Sequence, residues 1–125
     1  GEFAIELVVT GADPDIGDIK ASLYDSSESY MRDALAEATA GVDASGSVQI
    51  DFGSHTPGQY AIVVYYDKNA NGELDTGFLR IPKEKVGFSN NAKGRFGPAK
   101  WEDAQFSLEK SDLQIAIQLT RATQD

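Results

Sequence analysis

The 125-residue sequence contains no cysteine, one histidine, one methionine, one tryptophan and four prolines. Without cysteine there is no disulfide framework, no thiolate zinc site, no iron–sulfur cluster and no thiol catalysis. The compartment stays open, because exported proteins can also lack cysteine. An apolar core must therefore hold the fold, and a chain of this size buries roughly two-thirds of the surface exposed by its unfolded form. Basic residues are scarce as well: 11 Lys and Arg stand against 20 Asp and Glu, a formal charge of −9. Such a surface repels nucleic acid and anionic lipid, so no nucleic-acid partner is expected. Long apolar runs are also missing. No stretch approaches the ~18 residues of a membrane span, and the first residues lack the charged and apolar regions of a signal peptide. No membrane insertion is expected.

Length and composition fit a single domain over residues 1–125. Its dominant signal is alternation. Phe3, Ile5, Leu7 and Val9 share one face while Glu6 and Thr10 share the other, the mark of a half-buried strand. The pattern returns in Ile19, Ala21 and Leu23, in Val48, Ile50 and Phe52, and in Leu113, Ile115, Ile117 and Leu119. Phe106 and Leu108 suggest a further strand. Residues 60–66 are apolar at both parities, which suits a central strand covered on both faces and preceded by a Pro57-Gly58 turn. Residues 26–42 satisfy a helical stripe early and alternate later, through Ala36, Ala38, Ala40 and Val42; a short helical turn followed by an edge strand is expected. About seven strands predict an all-β chain, a two-sheet β-sandwich with Greek-key connections.

Residues 76–103 do not fit that rhythm. They are punctuated by glycine and proline and exceed the usual loop length in a compact domain. Phe78, Phe88, Phe96 and Trp101 are apolar anchors that disordered linkers tend to lack, so one long ordered excursion packed on the sandwich is expected.

Two motifs point to chemistry. Directly after the central strand, Asp67, Asn69, Asn71 and Asp75 occupy positions one, three, five and nine of a loop with Gly72 at six. With the backbone carbonyl of Glu73 they offer five oxygens, and calcium takes six to eight around a sharp turn. Gly72 supplies the backbone freedom and Leu74 a core anchor. Position twelve is Phe78, where an EF-hand carries a bidentate glutamate, and the loop follows a strand. A helix–loop–helix switch is excluded, and affinity belongs near the weak extracellular range, about 10⁻⁴–10⁻³ M. The alternative is an Asx-rich turn, since Asn and Asp bond their own backbone.

The excursion supplies the second motif. It carries a net +3, while the rest of the chain carries −12. This asymmetry suggests an anion-facing patch or a clamp onto the acidic body. Arg80, Lys93, Arg95 and Trp101 are the candidate ligand-binding residues, for a carbohydrate or an anionic ligand; the alternative is that the aromatics anchor the loop and the basic groups are solvated or paired. Catalysis has little support. His55 stands in an expected turn without a triad partner, and the 94–98 stretch lacks phosphate-loop spacing.

Three separated stretches, Pro57-Gly58-Gln59-Tyr60, the 67–75 loop, and Gly87-Phe88-Ser89-Asn90-Asn91-Ala92 with its continuation to Pro98, occur in an order that resembles the bacterial family called domain of unknown function 2141. Leu23-Tyr24-Asp25 and the 101–106 stretch extend the resemblance over nearly the whole chain. It implies a transthyretin-like β-sandwich, a periplasmic or secreted location and no established activity. Trp101 departs from the smaller aromatic frequent in the family, and residues 26–40 match no family pattern, so neither takes a role by analogy. The resulting expectation is an exported, non-catalytic binding or structural module with a calcium loop and a polysaccharide or protein partner. A polysaccharide- or anion-binding module is the alternative, and an uncharacterised enzyme comes third.

Overall fold

The computed structural model describes residues 1–67, 85–93 and 98–120. Eight strands are present among them: β1 Phe3–Thr10, β2 Asp18–Tyr24, β3 Ala36–Gly41, β4 Val48–His55, β5 Gly58–Asp67, β6 Val86–Phe88, β7 Phe106–Leu108 and β8 Leu113–Gln118. One sheet has the order β4-β1-β8. The other has the order β3-β2-β5-β6, with β7 added beside the start of β5. β1 runs antiparallel to β4 and parallel to β8. Alternation explains the layering, because side chains two apart share a face. Ile5, Leu7 and Val9 from β1 meet Ile19, Ala21 and Leu23 from β2 and Ile62 and Val64 from β5 in one buried core. The all-β, two-sheet, transthyretin-like sandwich expected from the sequence is the fold observed. A bulge between Ala4 and Glu6 interrupts the β1–β4 register; nearby, Gly53 takes φ 80° and donates its N–H to Asp51 Oδ1 at 2.8 Å.

β5 is covered on both faces, as its continuous apolar run predicts. Tyr60, Ile62, Val64 and Tyr66 enter the main core, whereas Ala61 and Val63 enter a second cluster with Phe88, Ala99, Ala104 and Trp101. On one side β5 pairs along its length with β2. On the other it pairs with β7 at residues 58–60 and with β6 at residues 63–65, leaving Ile62 between them. Ser89, fully buried, fills this gap: its Oγ accepts the Ile62 N–H at 3.0 Å and donates to the Ala104 carbonyl at 2.5 Å. A side chain thus completes the ladder where the backbone leaves it.

Residues 26–33 form hydrogen-bonded turns, with Tyr30 N donating to Ser26 O at 3.1 Å, and β3 follows as the edge of its sheet. This matches the expected turn and edge strand. Two features differ from expectation. β6 brings the count to eight, because a three-residue strand is too short to leave a periodic signal. His55 ends β4 and is half-buried, with Nε2 2.9 Å from the Phe52 carbonyl and its ring 5.9 Å from that of Tyr60.

Candidate functional site

The acidic pole of the sandwich gathers the end of β5 and the loops of residues 11–17 and 42–47. Asp67 closes β5 and is fully buried; its register partner in β2 is Asp18. The surrounding loops are pinned. Tyr66 donates its hydroxyl to the Ile16 carbonyl at 2.5 Å and accepts the Asp13 N–H at 3.3 Å. Lys85 Nζ donates to the Gly11 carbonyl at 2.9 Å, while its own carbonyl accepts the Tyr66 N–H at 2.9 Å. Ala12 N donates to Gly46 O at 3.1 Å and Asp15 N to Asp43 O at 2.9 Å, so the two loops are bonded to each other. Asp43 Oδ1 accepts from Ser45 Oγ, Ser45 N and Ser47 N at 2.6, 2.8 and 3.0 Å, and these bonds hold its carboxyl below the usual carboxylate range.

Of the candidate calcium ligands, Asp67 alone falls within the described residues; Asn69, Asn71, Glu73 and Asp75 lie outside them. Asp67 offers what calcium prefers, a hard carboxylate oxygen at the first loop position. Among the described residues no three Asp, Glu or His side chains form a metal-binding group by themselves.

Of the 76–103 excursion, residues 85–93 and 98–103 are described, and these rest on a second set of contacts; the expected anchors Phe78 and Phe96 lie outside the described residues. Trp101 opens α1, Trp101–Ala104, and is half-buried with its ring edge-on to Tyr30 at 5.9 Å and 66°. Tyr30 in turn meets Tyr24 edge-on at 5.5 Å and donates its hydroxyl to the Ala99 carbonyl at 2.7 Å. Burial, followed by the nearby Tyr24 and Asp103, pushes the Tyr30 phenol up to about 12. Lys93 is exposed just after the 3₁₀ turn Ser89–Asn91, beside an open cavity of about 290 Å³ shared with Asn91, Ala92, Gln118 and Thr120. Arg80 and Arg95 lie outside the described residues. Trp101 therefore belongs to an aromatic packing cluster, while Lys93 belongs to the cavity rim near the end of β8.

The residues that do the joining carry no chemical motif of their own. Asn90, at φ 63°, donates Nδ2 to the Asp103 and Gln105 carbonyls at 3.2 and 2.7 Å, and Asn91 Oδ1 accepts the Gln118 N–H at 2.9 Å. Gly87 permits close approach: a Cβ there would sit 2.4 Å from Ile117 Cγ2 and 3.1 Å from Val64 Cγ2. The stretch Gly87-Phe88-Ser89-Asn90-Asn91 thereby ties β5, β8 and α1 together. Its Ser-Asn-Asn composition was the available signal, since short polar side chains substitute for backbone partners at irregular turns.

None of the curated proteins compared with the chain gives a significant match. Among solved structures, a fimbrial assembly protein from Parabacteroides distasonis superposes with a TM-score of 0.52 at 9% identity, covering 97% of this chain. The chain spans about half of that protein, 53% of its length, and the likeness is one of fold. The match to a family model covers residues 7–116, and the chain belongs to that family, described as an uncharacterized protein conserved in bacteria (DUF2141).

Proposed function

We propose that this domain is an exported, non-catalytic module of binding or structural kind, and that the turn opening at Asp67 takes calcium as a staple. The observation that carries the reading is the burial of Asp67, the first residue of the oxygen-rich 67–75 sequence, in register with Asp18 on the neighbouring strand. A divalent cation bound there would tie residues 67–75 to the pinned pole. The non-catalytic part draws support from the packing of the conspicuous titratable groups. His55 is occupied by the Phe52 carbonyl and the Tyr60 ring, and Tyr30 by the aromatic cluster. Trp101, edge-on to Tyr30, favours this module over an open carbohydrate platform. A protein partner outside the cytoplasm completes the proposal.

Thermal unfolding in calcium and in chelator tests it. At calcium ten times the dissociation constant, the folded state gains about 1.4 kcal/mol, or roughly 5 °C in Tm for a domain this size. Asp67→Asn keeps the shape, removes the charge and is expected to abolish the difference. Equal melting of the unsubstituted protein in both solutions contradicts the metal reading.

A further inference from the structure

The sheet edges differ in how they are protected. β4 carries the bulge and the Gly53 kink, and β8 has its Gln118 N–H taken by Asn91 Oδ1 and its end bridged through Thr120 to Val86. Bulges and side-chain caps of this kind block pairing with another strand. Among the described residues β3 has none of them. It pairs with β2 on one side, and its sequence, Ala-Glu-Ala-Thr-Ala-Gly, contains no lysine, proline or bulge. Ala36, Ala38 and Ala40 face the core but remain half-buried, so apolar surface continuous with the core emerges at this edge. Leu35, the residue before the strand, is 47% exposed.

We infer that β3 is a self-pairing edge, through which a second copy of this chain adds antiparallel across a two-fold axis centred on Ala38. The sequence is complementary to itself in that register. Ala36 falls opposite Ala40 of the second copy, Glu37 opposite Thr39, and Leu35 opposite Gly41, where no side chain obstructs it. The alanines stay on the core face and Glu37 and Thr39 on the outer face, as parity demands. Shifting the centre to Glu37 would oppose two glutamates. Shifting it to Thr39 would set Leu35 against Asp43. The pairing joins the two larger sheets into one continuous sheet and covers the half-exposed alanines of both copies. Because each copy carries a formal charge of −9, long-range repulsion opposes the encounter, and the dimer tightens as salt screens it.

Sedimentation equilibrium of the full chain at low and moderate salt tests the inference, with circular dichroism and melting as controls on folding. A reversible monomer–dimer equilibrium that strengthens with salt is expected. Thr39→Glu sets glutamate opposite glutamate twice and is expected to weaken association about five- to ten-fold. The double change Glu37→Lys with Thr39→Glu sets opposite charges across the axis and restores it. A chain that stays monomeric up to ~1 mM overturns the inference, as does a dimer indifferent to both variants.

Discussion

Removing the Ser89 hydroxyl measures how far the turn at residues 89–91 has become part of the core. Ser89→Ala preserves the backbone and nearly all the volume, yet it strands two buried groups: the Ile62 N–H, held at 3.0 Å, and the Ala104 carbonyl, held at 2.5 Å. An unsatisfied buried group costs about 1–3 kcal/mol, and the carbonyl can recover part of its share through its second lone pair, so the pair should cost about 2–4 kcal/mol. At this chain length that is a fall in Tm of roughly 10 °C. Ser107→Ala is the matched control. Its hydroxyl bonds Gln59 on an exposed surface, and its loss should cost under about 0.5 kcal/mol. Denaturant unfolding gives the free energies, and amide hydrogen exchange gives the location, with the Ile62 amide losing protection first. If Ser89→Ala costs less than about 1 kcal/mol and leaves that amide protected, Ser89 does not complete the β5 ladder.

Two further changes probe the neighbouring contacts. Gly87→Ala forces a methyl to within 2.4 Å of Ile117 Cγ2 and should destabilise by about 1–3 kcal/mol, read from the urea midpoint at unchanged slope. Tyr30→Phe keeps the rings edge-on but loses the bond to the Ala99 carbonyl, at a cost of about 1 kcal/mol near neutral pH. Its pH dependence is more diagnostic. The folded phenol is raised to about 12 from an ordinary 10.0, so its contribution is complete below pH 10 and is lost as pH rises toward 12. The gap between the unsubstituted protein and Tyr30→Phe should therefore narrow over that alkaline window; a constant gap contradicts the burial of the phenol.

The sandwich was legible in the sequence because its strands announce themselves. Phe3 through Val9 and Val48 through Phe52 alternate at period two, and residues 60–66 are apolar at both parities, as a strand covered on both faces must be. The excursion was legible only as a departure from that rhythm. Phe88 and Trp101 were legible as apolar anchors and both are packed, but the work of Ser89, Asn90 and Asn91 depends on backbone groups more than ten residues away in sequence, which no local pattern encodes. The same limit applies to Tyr30. It lies in the early, helix-like part of residues 26–42, while its partners Ala99 and Trp101 come from a distant segment. For the calcium motif, spacing gave the positions 67, 69, 71, 73 and 75, and the fold adds the burial of Asp67 opposite Asp18.

A calcium titration followed amide by amide in NMR is the most direct measurement of the proposed function. Saturable shifts centred on residues 67–75, extending to Asp18 and the 11–17 loop and reversed by chelator, are the predicted result. Amides there that stay fixed, or shifts that spread over the acidic surface without saturating, would contradict it.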